Sequence, residues 1–279
     1  MSDRPVARPP PAGTPPGARS RLLAGLSDAV RGSWIEELLV ELRAVEFGNT
    51  IVLMGAALLL SALPLLILVS SFANQRVEDD LSRHIGLDRK GAAIVEGLFR
   101  TSSAHAAGSV ALGILVAFAG TITFVLSLQA MYEKTFGEEP YGWRHLPRFV
   151  VWLAVLLAAL FSRAAAEKPL RAAAGVVVED ACSFVLVLAF FWWTMHFLLG
   201  GRVAWRRLFR PAVATAALWL VFALFSSLYF SSAVISENKL YGTIGVFFIL
   251  VTWFIAVSAV LVLGACAGAV WETRRRAAA

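Results

Sequence analysis

From Thr50 onward, long apolar runs alternate with short polar stretches, and the runs approach or exceed the ~20 residues a helix needs to cross a bilayer's hydrocarbon. They fall at about 50–73, 108–130, 146–162, 181–200, 209–230 and 243–268, and they predict six transmembrane helices. The third is the shortest and begins LPRFVVW, so Arg148 must reach along its own stem to the membrane interface. Ahead of them, Arg21–Phe47 follows a different rule. Leu22, Leu26, Val30, Trp34, Leu38, Leu42 and Val45 recur every three or four residues, with Asp28, Arg31, Glu36, Glu37, Glu41 and Arg43 between them. That spacing predicts an amphipathic helix over 21–47, too charged to span. It fits the inner membrane surface or the cytoplasmic ends of the bundle equally well.

The connecting segments carry their own signals. Residues 1–20 hold six of the eleven prolines and no apolar run, which predicts a disordered Pro/Arg-rich tail and no signal peptide. The segment 74–107 is the longest connection. Leu81 and Ile85, then Ile94, Val95, Leu98 and Phe99, predict two short helices broken around Gly86–Asp88, with Asp88 as the second N-cap. This helical loop is expected to cover the outer mouth of the bundle. Residues 273–279 form a short basic C-terminal tail, and 48–272 form the membrane domain.

Composition agrees with that pattern. The chain of 279 residues is 58% hydrophobic with a mean hydropathy of +0.72, and 16% of it is charged, against about 25% in soluble domains. The expected class is an all-α polytopic membrane bundle of six helices. With the N-terminus inside, 16 of the 25 Lys and Arg fall on cytoplasmic segments, so both termini are expected to be cytoplasmic.

Candidate chemistry is sparse. His84, His105, His145 and His196 lie in separate segments, and no HExxH, nucleophile elbow or phosphate-binding glycine loop occurs. No catalytic residue, metal site or cofactor is therefore expected, and no nucleic-acid partner. Cys182 and Cys266 lie in apolar runs without a disulfide or metal-ligand spacing. The hydroxyls of Ser61, Thr123, Ser127 and Ser258 are of the kind that bond a carbonyl one turn back or bridge helices. Pro64 in SALPLL predicts a kink that frees the Leu60 carbonyl, with Ser61 near enough to help satisfy it. His196, beside Trp192 and Trp193, reads as an interface-belt residue. In RVAWRRLFRPA, Arg202, Arg206, Arg207 and Arg210 crowd the inner interface before a helix opened by Pro211. They suit topology by the positive-inside rule, and also bidentate contact with phosphate on an anionic lipid or solute. Gly264 and Gly268 make a GxxxG packing face, from which Cys266 points away.

SALPLL, RVAWRRLFRPA, FSSLYFS and YGTIG with the later LVLGA together resemble the YihY/BrkB family of bacterial inner-membrane proteins. The resemblance covers about residues 35–272. It implies six helices with both ends in the cytoplasm, and transport or permease activity with links to lipid or lipopolysaccharide export. The family was formerly labelled ribonuclease BN, a misassignment. On this resemblance a translocation path is expected to draw on Ser61, Pro64, Gln129, His196, Tyr229 and Tyr241. Two departures stand out. Met54–Gly55–Ala56 replaces an Ala-Tyr-aromatic stretch, and Gly264–Ala265–Cys266 ends where the family commonly has Gly-Ala-Glu. A thiol cannot replace a carboxylate as a proton or cation site at neutral pH.

The leading expectation is thus a transporter, permease or flippase for an anionic lipid or small anionic metabolite, with membrane lipids as partners. A non-transporting membrane scaffold or envelope assembly factor is the alternative, and a membrane-embedded hydrolase the most distant. A homo-oligomer is compatible with each.

Overall fold

A computed structural model describes residues 33–72, 107–140, 148–159, 162 and 176–278. The tail 1–20, residues 21–32 of the amphipathic segment, and the loop 74–106 with Asp88 lie outside the described residues. Those described form helices and no strand. They are α1 (Trp34–Ala44), α2 (Phe47–Phe72), α3 (Ala107–Phe136), α4 (Arg148–Ala159), α5 (Val176–Leu198), α6 (Trp205–Gly242) and α7 (Ile244–Ala277). α5, α6 and α7 are each long and apolar enough to cross a membrane; α1 with the start of α2 is a fourth if that bent pair counts as one span.

The start of α1 follows from its sequence. Ser33 accepts a hydrogen bond from the Glu36 amide at 3.4 Å, and Glu36 and Glu37 complement the dipole of the first turn. The amphipathic stretch does not continue unbroken to residue 47. At Glu46 the backbone turns left-handed, with φ of +53°, and α2 departs at 58° from α1. The turn drops Val45 into the core at 1% exposure, and Thr50 Oγ1 donates to the Val45 carbonyl at 2.7 Å.

Several helices outrun their apolar stretches. α3 continues past Ala130 because Met131, Tyr132, Thr135 and Phe136 extend its buried face at helical spacing. α6 opens at Trp205, six residues before Pro211, which sits inside the helix rather than at its start. The link expected between the fifth and sixth spans is helical up to Gly242. There the backbone adopts φ 61° and ψ −142°, a conformation open to glycine, and the chain reverses into α7. The basic tail is helical too, since α7 runs to Ala277.

Close helix contacts are made where a side chain is missing. A Cβ on Gly120 of α3 would meet the Ser61 amide nitrogen of α2 at 2.8 Å, and one on Gly55 of α2 would meet Ile255 of α7 at the same distance. Gly55 is thus where α2 approaches α7. Gly264 faces Thr215 of α6, whose Cα stands 2.5 Å from the virtual Cβ, and Gly268 faces the backbone of Pro211. Cys266 is buried on the other side, with its Sγ 3.9 Å from Thr135 Oγ1 of α3.

The hydroxyls behave as their positions suggest. Thr123, Ser127 and Ser258 donate to carbonyls four residues back. Thr194 and Ser226 instead receive indole N–H groups from Trp152 and Trp253.

The Gly268 contact yields a direct test. Gly268→Ala places a methyl against the Pro211 backbone, an overpacking change of about 1–3 kcal/mol. Its melting temperature in detergent is expected to fall. Gly48→Ala, which meets nothing within 4 Å, is expected to leave it level or raise it slightly.

Candidate functional site

The C-terminal ends of α3, α5 and α7, the start of α6, and α1 converge at one end of the bundle, and cations collect there. α5 stops because Gly200 and Gly201 adopt φ of 69° and 74°; their amides bond the Phe197 and His196 carbonyls at 3.1 and 3.0 Å. The Arg148 guanidinium of α4 lies against this turn, 2.9 Å from where a Gly200 Cβ would stand.

Arg202, just beyond the turn, is a structural clamp. Its Nη2 donates to Glu133 Oε1 at 3.0 Å, its Nη1 to the Glu139 carbonyl at 2.7 Å, and its Nε to the Leu199 carbonyl at 3.0 Å. Gln129 Nε2 also donates to Glu133 Oε1, at 2.8 Å. The Glu133 side chain is only 5% exposed, so its charge depends on these donors. Gln129, expected on a translocation path, and Arg202, expected in a phosphate-binding patch, therefore meet on one carboxylate. Sequence reading passed over Glu133 because the second apolar run ends at Ala130. The signal was present in Met131, Tyr132 and Phe136, which carry the buried face one turn further.

A different arrangement surrounds Arg210. An open cleft of about 440 Å³ lies between α5, α6 and α7. α5 contributes Trp192; α6 contributes Arg206, Phe209 and Arg210; α7 contributes Glu272, Arg275 and Arg276. Its aromatic wall is fixed by the Trp192 indole, which donates to the Trp205 carbonyl at 2.8 Å and packs edge-on against Phe209 at 5.3 Å. Arg210 is only 15% exposed and donates to Glu272 Oε2 at 2.5 Å, while its guanidinium carbon lies 5.5 Å from the Trp271 ring centre. Arg276 Nε donates to Glu272 Oε1 at 2.9 Å from a side chain 58% exposed. Arg206 and Arg275 are exposed and form no ion pair among the described residues. Four guanidinium groups thus line the cleft beside two aromatic rings, two of them on one carboxylate. The α6 N-terminus at the same place has no side-chain cap, so its dipole adds to the positive field.

The other expected path residues have separate partners. Ser61 is buried between α2 and α3 and donates to the Leu58 carbonyl at 3.0 Å, rather than to that of Leu60. The side chain of Pro64 lies outside the described residues. His196 stacks on Trp205 at 4.1 Å, with Nδ1 3.1 Å from the Val203 carbonyl. Tyr229 and Tyr241 are 58% and 67% exposed on the outer face, Tyr229 stacked on Phe225. Arg207 lies outside the cleft lining. Arg275, Arg276 and Glu272 of α7 were not among the expected site residues. WETRRR does place Glu272 and Arg276 at i,i+4, but their meeting with Arg210 needs the folded hairpin. Among the described residues, no group of three or more His, Cys, Asp or Glu is placed to hold a metal ion.

α1 is latched beside this end. Arg274 grips Glu37 with Nε at 2.7 Å and Nη2 at 3.1 Å, and Lys134 reaches Glu46 at 3.2 Å. Hydrogen bonding from Arg274 holds the Glu37 carboxyl below its usual 4.5. Burial pushes Glu41 upward.

The fold and this site define a helical integral membrane protein with a cationic cleft at one end of its bundle. The chain belongs to the family described as Virulence factor BrkB, the YihY family, whose model matches residues 48–279. No curated protein and no solved structure matches it significantly.

Two expectations follow from the ion pairs. Glu133→Leu leaves the Arg202 clamp without its buried partner. Breaking such a pair costs about 3–5 kcal/mol when both groups are buried, and less here because Arg202 is 23% exposed; the detergent melting temperature reads the loss. Glu37, with its lowered value, favours docking of α1 above the ordinary carboxylate range, and this contribution fades as pH falls through the lowered value. Glu41, with its raised value, opposes docking when ionised, and protonation relieves it. At pH 7, Glu37→Gln is therefore expected to speed hydrogen exchange in α1, by no more than about fivefold for an exposed pair. Glu41→Gln is expected to slow it.

Proposed function

We propose that this chain is a six-span bacterial inner-membrane transporter or flippase for an anionic, phosphate-bearing lipid or small metabolite, with both termini cytoplasmic and no enzymatic chemistry of its own. The observation that carries the proposal is the cleft, where Arg206, Arg210, Arg275 and Arg276 stand beside Trp192 and Phe209. Guanidinium groups match phosphate oxygens in pairs, and indole and phenyl rings accept the apolar shoulder of an amphipathic molecule. About three to four turns further along, α6 turns Leu220, Val221, Leu224 and Phe225 outward, an apolar face suited to acyl chains.

The cytoplasmic assignment of the cleft rests on the Lys and Arg count, which is densest on the segments gathered at this end. The anionic inner leaflet supplies ligands of the matching charge. A cleft open to the bilayer and to water suits headgroup capture better than a closed pore.

Proteoliposomes carrying a fluorescent phosphatidylglycerol analogue test the reading. Arg206→Gln with Arg275→Gln removes two charge-assisted contacts, and translocation is expected to fall about tenfold or more. Both side chains are exposed and without ion-pair partners among the described residues, so membrane abundance is expected to hold. Undiminished translocation by this variant overturns the cleft's role. No translocation by the unaltered protein, with partner proteins retained on it in a pull-down, favours the scaffold reading instead.

A further inference from the structure

Glu272 is an unexpected residue to find in a cleft that is otherwise cationic. Its two oxygens are divided between two arginines, Oε2 receiving Arg210 Nη1 and Oε1 receiving Arg276 Nε. The two partners are held differently. The Arg210 arm is shielded, 15% exposed against a carboxylate 12% exposed, and is backed by the Trp271 ring. The Arg276 arm is 58% exposed, lines the cleft and bonds Glu272 through its single Nε–H.

We infer that Glu272 is a built-in competitor for the phosphate group: it holds Arg276 in the empty cleft and yields it when a ligand phosphate arrives, while keeping Arg210 as the fixed floor. The inference rests on the reading of the cleft as a phosphate site and adds how that site discriminates. A carboxylate has two oxygens to offer, and Glu272 already commits one to each arginine. A phosphate monoester offers three oxygens and up to two charges. It can engage Arg206 and Arg275 and also take the side-on Nε–H and terminal N–H pair of Arg276, which requires Glu272 Oε1 to release that Nε–H. Zwitterionic headgroups bring a cation with their phosphate, which the arginines repel. Neutral or singly charged weak ligands do not displace Glu272 from Arg276. The carboxylate therefore raises the threshold for entry and selects for ligands of higher negative charge.

The exchange also links occupancy to the end of α7. Arg276 and Glu272 are one turn apart on that helix, and Arg274 between them grips Glu37 of α1. Drawing Arg276 into the cleft loosens only the exposed arm and leaves the α1 latch and the Arg210 floor intact.

Binding of short-chain phosphatidic acid, short-chain phosphatidylcholine and inorganic phosphate to the full-length protein in detergent tests the idea by titration calorimetry. Glu272→Gln is expected to tighten phosphatidic acid binding roughly tenfold, the worth of one charge-assisted hydrogen bond no longer contested. It is expected to narrow the preference over phosphatidylcholine. Because Glu272→Gln also weakens the hold on Arg210, a double-mutant cycle with Arg276→Gln carries the decision. If Glu272 occupies Arg276, Arg276→Gln costs little in the unaltered protein and several-fold more in the Glu272→Gln background. Equal cost in both backgrounds overturns the competitor role. If Arg206→Gln still weakens binding in that case, the phosphate reading of the cleft survives. Absence of phosphate-dependent binding in every form overturns both. A clear preference for phosphatidic acid over inorganic phosphate assigns the site to a lipid headgroup. Equal affinity, with the cycle still coupled, supports the competitor role and assigns the site to a free anion.

Discussion

The contact of Gly264 and Gly268 with Thr215 and Pro211 decides the shape of this end of the molecule. Two helices whose backbones meet without an intervening Cβ lie closer than any pair separated by Leu or Phe, and their register is fixed by the position of the missing side chains. Here the closest approach falls within two turns of the start of α6 and near the end of α7. That brings Arg210 opposite Glu272, although 62 residues separate them in the chain. It also sets Arg206 and Arg275 in the same cleft lining, without ion-pair partners among the described residues. The far end of the hairpin is closed differently, by Phe230, Val234, Val246 and Leu250 packed beneath the Gly242 reversal. The cleft is a consequence of tight packing at one end of the α6–α7 pair.

The elements were mostly legible in the sequence, because a membrane helix must satisfy its own backbone and advertises itself by length and apolarity. Five of the apolar runs coincide with parts of α2, α3, α5, α6 and α7, and α4 falls within the third run, 146–162. Legibility stopped at the ends of those runs. Where the chain leaves hydrocarbon, charged residues re-enter and hydropathy drops, yet the helix has no reason to stop. Glu133 and Glu272 both sit in such extensions, and both hold arginines. Arg202 and Arg210 look alike as neighbours in one basic segment. The fold sends the first to a buried carboxylate on α3 and the second to a shared carboxylate on α7. No local pattern in RVAWRRLFRPA separates those fates, since each depends on a helix far away in sequence.

Cys266, where the resemblance implied a glutamate, also looks different in three dimensions. The thiol is buried against Thr135 of α3, on the side of α7 opposite to the glycine face. Position 266 thus belongs to the packed seam between α3 and α7, where an ionised group needs a partner and a thiol does not. Carboxylates remain close by: Glu133 two residues before Thr135 on α3, and Glu272 almost two turns beyond Cys266, nearer the end of α7.

That displacement has an electrostatic consequence. A carboxylate deep in a helix pair is costly to ionise, and its charge reports mainly on protons or cations. A carboxylate at the helix end, flanked by arginines, acts through hydrogen bonds and Coulomb attraction to those arginines. Glu272 is of the second kind, since guanidinium groups meet both of its oxygens and its side chain retains 12% exposure. Both carboxylates thus order guanidinium groups: Glu133 fixes Arg202, and Glu272 is shared between Arg210 and Arg276. On the proposed reading of the cleft, the strength of anion selection is set by how much of each arginine Glu272 already holds.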